Sequence, residues 1–135
     1  MSLSGKANTK QLGTIGENIA CRYLEEKGYR IRERNFSVDR GPIKGEIDII
    51  AEKEEKIVFV EVKAAIINSS LDILFGPEDR VNPAKQRKIR RMAEIWLDKN
   101  NISLALPWQI DVISIKINQK TKKAKIRYFE NIASA

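Results

Sequence analysis

One segment constrains the fold of this chain more than any other: Gly45–Lys63, GEIDIIAEKEEKIVFVEVK. It holds two runs rich in β-branched residues, Glu46–Ala51 and Ile57–Ala64, joined by the wholly charged Glu52–Lys56. Such runs read as strands, and the short polar link between them as a hairpin turn. The hydrophobic pattern does not account for Glu46, Asp48, Glu61 and Lys63, which are set among Ile, Val and Phe. Side chains alternate faces along a strand. Glu46, Asp48 and Ile50 are therefore expected on one face of the first strand. Ile57, Phe59, Glu61 and Lys63 are expected on one face of the second, with Val58, Val60 and Val62 on the other. A turn centred near Glu54–Glu55 puts Asp48 opposite Glu61 and Glu46 opposite Lys63, with Cβ atoms about 4.5–5.5 Å apart.

Two carboxylates at that distance repel unless a proton or a cation lies between them. A hard divalent ion fits, since Mg²⁺ takes carboxylate, water and phosphate oxygens in octahedral array. The backbone carbonyl of Val62 is a further oxygen. A metal-bound water is a good nucleophile near neutral pH. A lysine beside the metal can orient that water or offset the charge of a phosphodiester transition state. Lys63 stands in the place for either. Alternating charges are also what a solvated hairpin edge carries, and spacing alone leaves both possibilities open.

Around this hairpin the pattern is that of a small mixed domain. Leu12, Ile15, Ile19, Ala20, Tyr23 and Leu24 recur at helical spacing, and Gly28 follows as a cap, so a helix is expected to about Lys27. Tyr29–Phe36 alternates as a strand, with Arg30, Arg32 and Arg34 on one face. Ser37–Gly45 reads as a loop around Gly41-Pro42, and Asn68–Val81 as a long irregular one. Asn82-Pro83 is a helix start, followed by an apolar stripe of Ile89, Met92, Ala93 and Trp96. Trp96 is therefore expected in the core rather than as a base-stacking platform. Trp108–Ile117 and Ala124–Phe129 are the last strands. The predicted fold is α/β, a mixed sheet flanked by helices in the order α-β-β-β-α-β-β. It forms a single domain over residues 11–135, after a flexible segment 1–10.

Composition narrows the chemistry. The 135 residues contain no histidine, which excludes imidazole bases and His-ligated zinc. Any hydrolysis must run on carboxylates, lysine and a hard metal. The single Cys21 excludes an intramolecular disulfide and reads as a small packing residue in a cytoplasmic protein. No apolar run is long enough for a membrane span, and the N-terminus lacks the apolar centre of a signal peptide. The net charge is +7. Arg80–Arg91 and Lys116–Arg127 each carry six basic residues and no acidic one. A polyanionic partner, DNA or RNA, is the expectation. Arg80, Lys85, Arg87, Arg91, Lys122 and Lys123 are the candidate phosphate contacts, which would position a backbone without reading sequence.

GEIDII followed by VFVEVK resembles the D…E-x-K core of the PD-(D/E)XK nuclease superfamily. The blocks GTIGENIACRYLEEKGY, GEIDIIA, VFVEVK, FGPEDRVNPAKQRKIRRMAEIWL and IDVISI, in that order, are similar to the YraN-like family of uncharacterised bacterial proteins. The resemblance implies a restriction-endonuclease-like fold related to Holliday-junction resolvases, and hydrolysis of phosphodiester bonds in DNA, branched or structured DNA included. It assigns Asp48, Glu61 and Glu17 to a Mg²⁺ or Mn²⁺ site, with Glu61 and Lys63 as the E-x-K pair. Glu46 and Gln86 stand behind them as supporting residues. Glu17 also fits a capping box, Thr14 to Glu17. Ala64-Ala65 departs from the family, which often carries a basic residue after E-V-K. Asp111 matches a family aspartate without a catalytic assignment. DNA is favoured over RNA; resolvase relatives act as dimers, which makes a homodimer one open option, and no patch in the sequence identifies an interface. The alternative is a non-catalytic nucleic-acid-binding module on the same fold.

Overall fold

The computed structural model describes residues 9–68 and 80–132. Most of the expected N-terminal segment and of the Asn68–Val81 loop lies outside the described residues. Helix α1 spans Thr9–Glu26, so Thr9 and Lys10 open the first helix rather than ending a flexible arm. Strands β1 (Arg30–Arg40), β2 (Ile43–Lys53) and β3 (Lys56–Ile67) follow. Then come α2 (Pro83–Lys99), β4 (Trp108–Asn118) and β5 (Ala124–Phe129). Among the described residues no helix is long and apolar enough to cross a membrane.

The chemistry of the ends explains the boundaries. Gly28, at φ 92°, closes α1, with its N–H on the Glu25 carbonyl and the Tyr29 N–H on that of Leu24. Asn82 caps α2 by accepting from the Lys85 N–H at 2.8 Å, and Pro83 opens the helix. Glu54 and Glu55 both take positive φ, 52° and 64°, as a two-residue hairpin turn of matching twist requires.

The five strands form one sheet in sequence order. All neighbours are antiparallel except β3 and β4, which run parallel because α2 carries the chain across between them. α2 covers one face, where Phe36, Ile47, Ile50, Phe59, Ile110 and Val112 pack around Met92 and Trp96. α1 covers the other, where Ile49, Ala51, Val58, Val60 and Ile113 pack around Ala20 and Leu24. Each fully buried Ile, Leu or Phe contributes about 1.5–3 kcal/mol relative to an exposed position. Trp96 is 1 % exposed and its Nε1–H donates to Glu33 Oε1 at 3.0 Å, which makes it a core residue. Cys21 is buried on the sheet-facing side of α1, and burial pushes its thiol pKa up.

Three expectations are corrected. The Ser37–Gly45 loop is instead a continuation of the β1–β2 ladder to the pair Arg40↔Ile43, with Gly41-Pro42 alone as the turn. Val38 and Ile43 pack under α2, and that burial extends the hairpin. Gly45 is a strand residue at φ 154°, where a Cβ would stand 2.9 Å from Lys88 Cε. The arginines of β1 do not share a face. Arg32 sits at a bulge between the pairs Ile31↔Ala51 and Glu33↔Ile50 and lies over the Trp96 ring of α2. Arg34 reaches Glu17 of α1 at 3.6 Å. The capping box at Thr14 is absent because the helix starts five residues earlier; Thr14 Oγ1 instead donates back to the Lys10 carbonyl.

Candidate functional site

The β2–β3 ladder runs in the register the turn dictates, but it ends at Ile49↔Val60, one pair before Asp48 and Glu61 would meet. Asp48 instead accepts the Val62 N–H on Oδ2 at 2.8 Å. The strand alternation slips here. Ile47 and Ile50 belong to the α2 side and Ile49 to the α1 side, so residues 47 and 49 point to opposite faces. Ile50 therefore does not share a face with Glu46 and Asp48. β1 slips at the position facing Asp48: Phe36 packs toward α2, Arg34 reaches α1, and Asn35 between them has φ 54°. Asparagine tolerates that left-handed backbone better than most residues.

The slip gathers three carboxylates. One oxygen each from Glu17, Glu46 and Asp48 lie within 4.8 Å of one another, a group able to hold a metal ion. Glu17 reaches it because α1 lies very close to β3: a Cβ on Gly16 would stand 2.7 Å from Ala64 Cβ. Asn35 Nδ2 donates to Glu17 Oε1 and to Glu46 Oε1, both at 2.8 Å, and Arg34 adds a cation beside Glu17. Asn35, Arg34 and the Gly16–Ala64 contact were missed by sequence reasoning. The available signal was an asparagine inside an alternating strand run, and alanine where a basic residue was expected.

Burial raises the pKa of Asp48 from 3.8 to about 7; Glu61, Glu17 and Glu46 push the same way, and the Val62 N–H opposes them. Burial also raises the pKa of Glu61, against Lys85 and Lys63. Glu61 is not one of the three clustered acids. It faces α2, 3.6 Å from Lys85 Nζ, in a cavity of about 380 Å³ lined also by Lys63, Arg80, Val81 and Asn82. Lys63 Nζ donates to the Arg80 carbonyl at 3.0 Å. The centre thus has an acidic part toward α1 and a mainly basic part toward α2, joined where β2 and β3 separate. The acidic part suits a hard divalent cation, and the basic part suits a phosphate oxygen.

The remaining candidates fall elsewhere. Gln86 donates to the Val81 carbonyl at 2.8 Å and lines a neighbouring cavity with Val112 and Phe129. Arg87 and Arg91 are exposed on α2, and Lys122 and Lys123 on the β4–β5 connection. Asp111 is buried and accepts from Tyr128 Oη–H, Gln109 Nε2 and the Asn131 N–H, which ties the chain after β5 to β4.

The profile of the Uncharacterised protein family UPF0102 matches residues 16–115, from the glycine against Ala64 into strand β4. This chain belongs to that family. UPF0102 proteins similar to it include TTE1452 of Caldanaerobacter subterraneus, 37% identical over 93% of this chain and 97% of that one. One from Acetivibrio thermocellus is 38% identical over 98% and 96%. One from Fervidobacterium nodosum is 43% identical over 87% and 78%. Among solved structures, SfsA of Pyrococcus furiosus in complex with Ca²⁺ is similar at 18% identity and a TM-score of 0.41, over 95% of this UPF0102 chain and 66% of that one. Likeness at that level says nothing about function.

Proposed function

We propose that this UPF0102 protein is a metal-dependent nuclease of the PD-(D/E)XK type that hydrolyses phosphodiester bonds in DNA. The observation that carries the proposal is the convergence of Glu17, Glu46 and Asp48 within 4.8 Å, beside a cavity holding Glu61, Lys63 and Lys85. Glu17, Glu46 and Asp48 are the oxygen donors for Mg²⁺ or Mn²⁺, a hard set with no nitrogen or sulfur ligand. Bound there, the ion would supply a water activated for attack near neutral pH. Lys63 offsets charge on the phosphate, and Lys85 holds Glu61 toward its ionised form. Asn35 keeps the carboxylates of Glu17 and Glu46 together.

A cleavage panel tests this. Purified protein with Mn²⁺ is expected to cut at least one of single-stranded, duplex, flapped or four-way DNA, and Asp48→Asn to abolish cutting. Failure on every one of these, and on matching RNA, would overturn the enzyme. DNA binding without cleavage would instead identify a binding module.

A further inference from the structure

The sheet face that carries Glu61 and Lys63 changes character along its strands. Under α2 it is apolar, with Ile57, Phe59, Ile110 and Val112 packed on Met92 and Trp96. The cross-strand row Glu61↔Val112↔Phe129 ends the apolar part. The next two rows on the same face are Lys63↔Ser114↔Arg127 and Ala65↔Lys116↔Lys125. Paired residues share a face, as do residues two apart on one strand. Lys63, Lys116, Lys125 and Arg127 therefore continue directly from Glu61, and no carboxylate stands in their rows. Lys125 and Arg127 are exposed on the edge strand β5. The Arg127 guanidinium lies 5.2 Å over the Phe129 ring, which keeps it on this face.

Three strands spaced about 4.8 Å apart put the backbones of Lys63 and Arg127 about 10 Å from each other. Lys116 is buried and Lys63 half-buried, so the cations open to a ligand are Lys125 and Arg127, two residues apart on one face of an edge strand. That arrangement suits an extended polyanion rather than a small anion, which needs an enclosing pocket. We propose that Lys125 and Arg127 form a track for the DNA phosphodiester backbone, leading from the Glu61–Lys63 cavity toward the β4–β5 connection. The track rests on the nuclease proposal for its orientation. It selects residues of β5 rather than the Lys122 and Lys123 that charge alone had picked.

The test is the salt dependence of duplex DNA binding with EDTA present, so that its outcome is independent of whether the carboxylates bind metal. Each phosphate contact contributes about 0.9 to the slope of log K against log salt. Lys125→Gln with Arg127→Gln is expected to reduce that slope by about 2. Arg22→Gln with Lys27→Gln, the same loss of charge on α1, is expected to leave it unchanged. The exchange Lys125→Arg with Arg127→Lys is expected to retain the wild-type slope in a protein with the wild-type circular dichroism spectrum. Equal slopes for the two neutralised proteins would overturn the track. So would a charge-conserving exchange as weak as the neutral one, because the effect would then come from packing on Phe129.

Discussion

Asp48 Oδ2 accepts the Val62 N–H at 2.8 Å just beyond the point where β2 and β3 stop pairing. That bond partly offsets burial, yet the Asp48 pKa stands near 7 against 3.8. Well below pH 3.8 the group is protonated both folded and unfolded, and costs nothing. As pH rises toward 7 the unfolded chain loses the proton while the folded one keeps it, so stability falls. The full cost, roughly 4 kcal/mol at 1.36 kcal/mol per pH unit, is present above pH 7. Asp48→Asn is expected to stabilise the metal-free protein by up to that amount at pH 8 and by far less at pH 4, by urea denaturation in EDTA. Calorimetry is expected to show Mn²⁺ binding lost. An equal effect at both pH values would contradict the assignment.

Asn35 joins a left-handed backbone to an amide shared by two carboxylates. Asn35→Gly keeps the backbone and loses the amide, at an expected cost of about 1 kcal/mol. Asn35→Ala loses both and is expected to cost about 1–2 kcal/mol more. Thermal melts compare them. Added Mn²⁺ is expected to raise the Tm of the glycine variant, since the three acids remain.

The contact between Gly16 and Ala64 leaves no room for a methyl group. Gly16→Ala is expected to push α1 off β3, cost about 1–3 kcal/mol and weaken Mn²⁺ binding about tenfold as Glu17 moves. Ala64→Gly in the same chain is expected to restore most of both. A non-additive double-mutant cycle is the signature.

Lys85 lies 3.6 Å from Glu61 and lowers a carboxyl pKa that burial raises. Without that cation Glu61 ionises at higher pH. Lys85→Gln is therefore expected to move the acidic limb of the pH–cleavage profile upward, while Lys85→Arg leaves it near its wild-type position. A limb unmoved by Lys85→Gln would separate Glu61 from the chemistry.

Glu55 occupies a positive-φ position of the β2–β3 turn, closed by the pair Lys53↔Lys56. Relief of that strain exceeds the entropy that glycine adds to the unfolded chain. Glu55→Gly is expected to stabilise by about 0.5–1 kcal/mol, read from the urea midpoint at unchanged m.

The helices, the order of elements, the β2–β3 turn and the placing of Glu46, Asp48, Glu61 and Lys63 on two adjacent strands were legible in the sequence. Amphipathic period, Asn-Pro and Gly caps, and β-branched runs are local signals, each satisfied within a few residues. The slip at Asn35 and Asp48 was not legible, because strict alternation predicts Ile50, not Ile49, on the face of Asp48. Two neighbouring strands slip together where one sheet face must serve α1 and the other α2, and only their packing determines that. The tertiary structure likewise brought Glu46 to Glu17 and Asp48 and left Glu61 toward Lys85. Residue types and the chemistry open to them follow from the chain alone. Which acids stand together depends on how closely a glycine in a helix lets that helix approach the sheet.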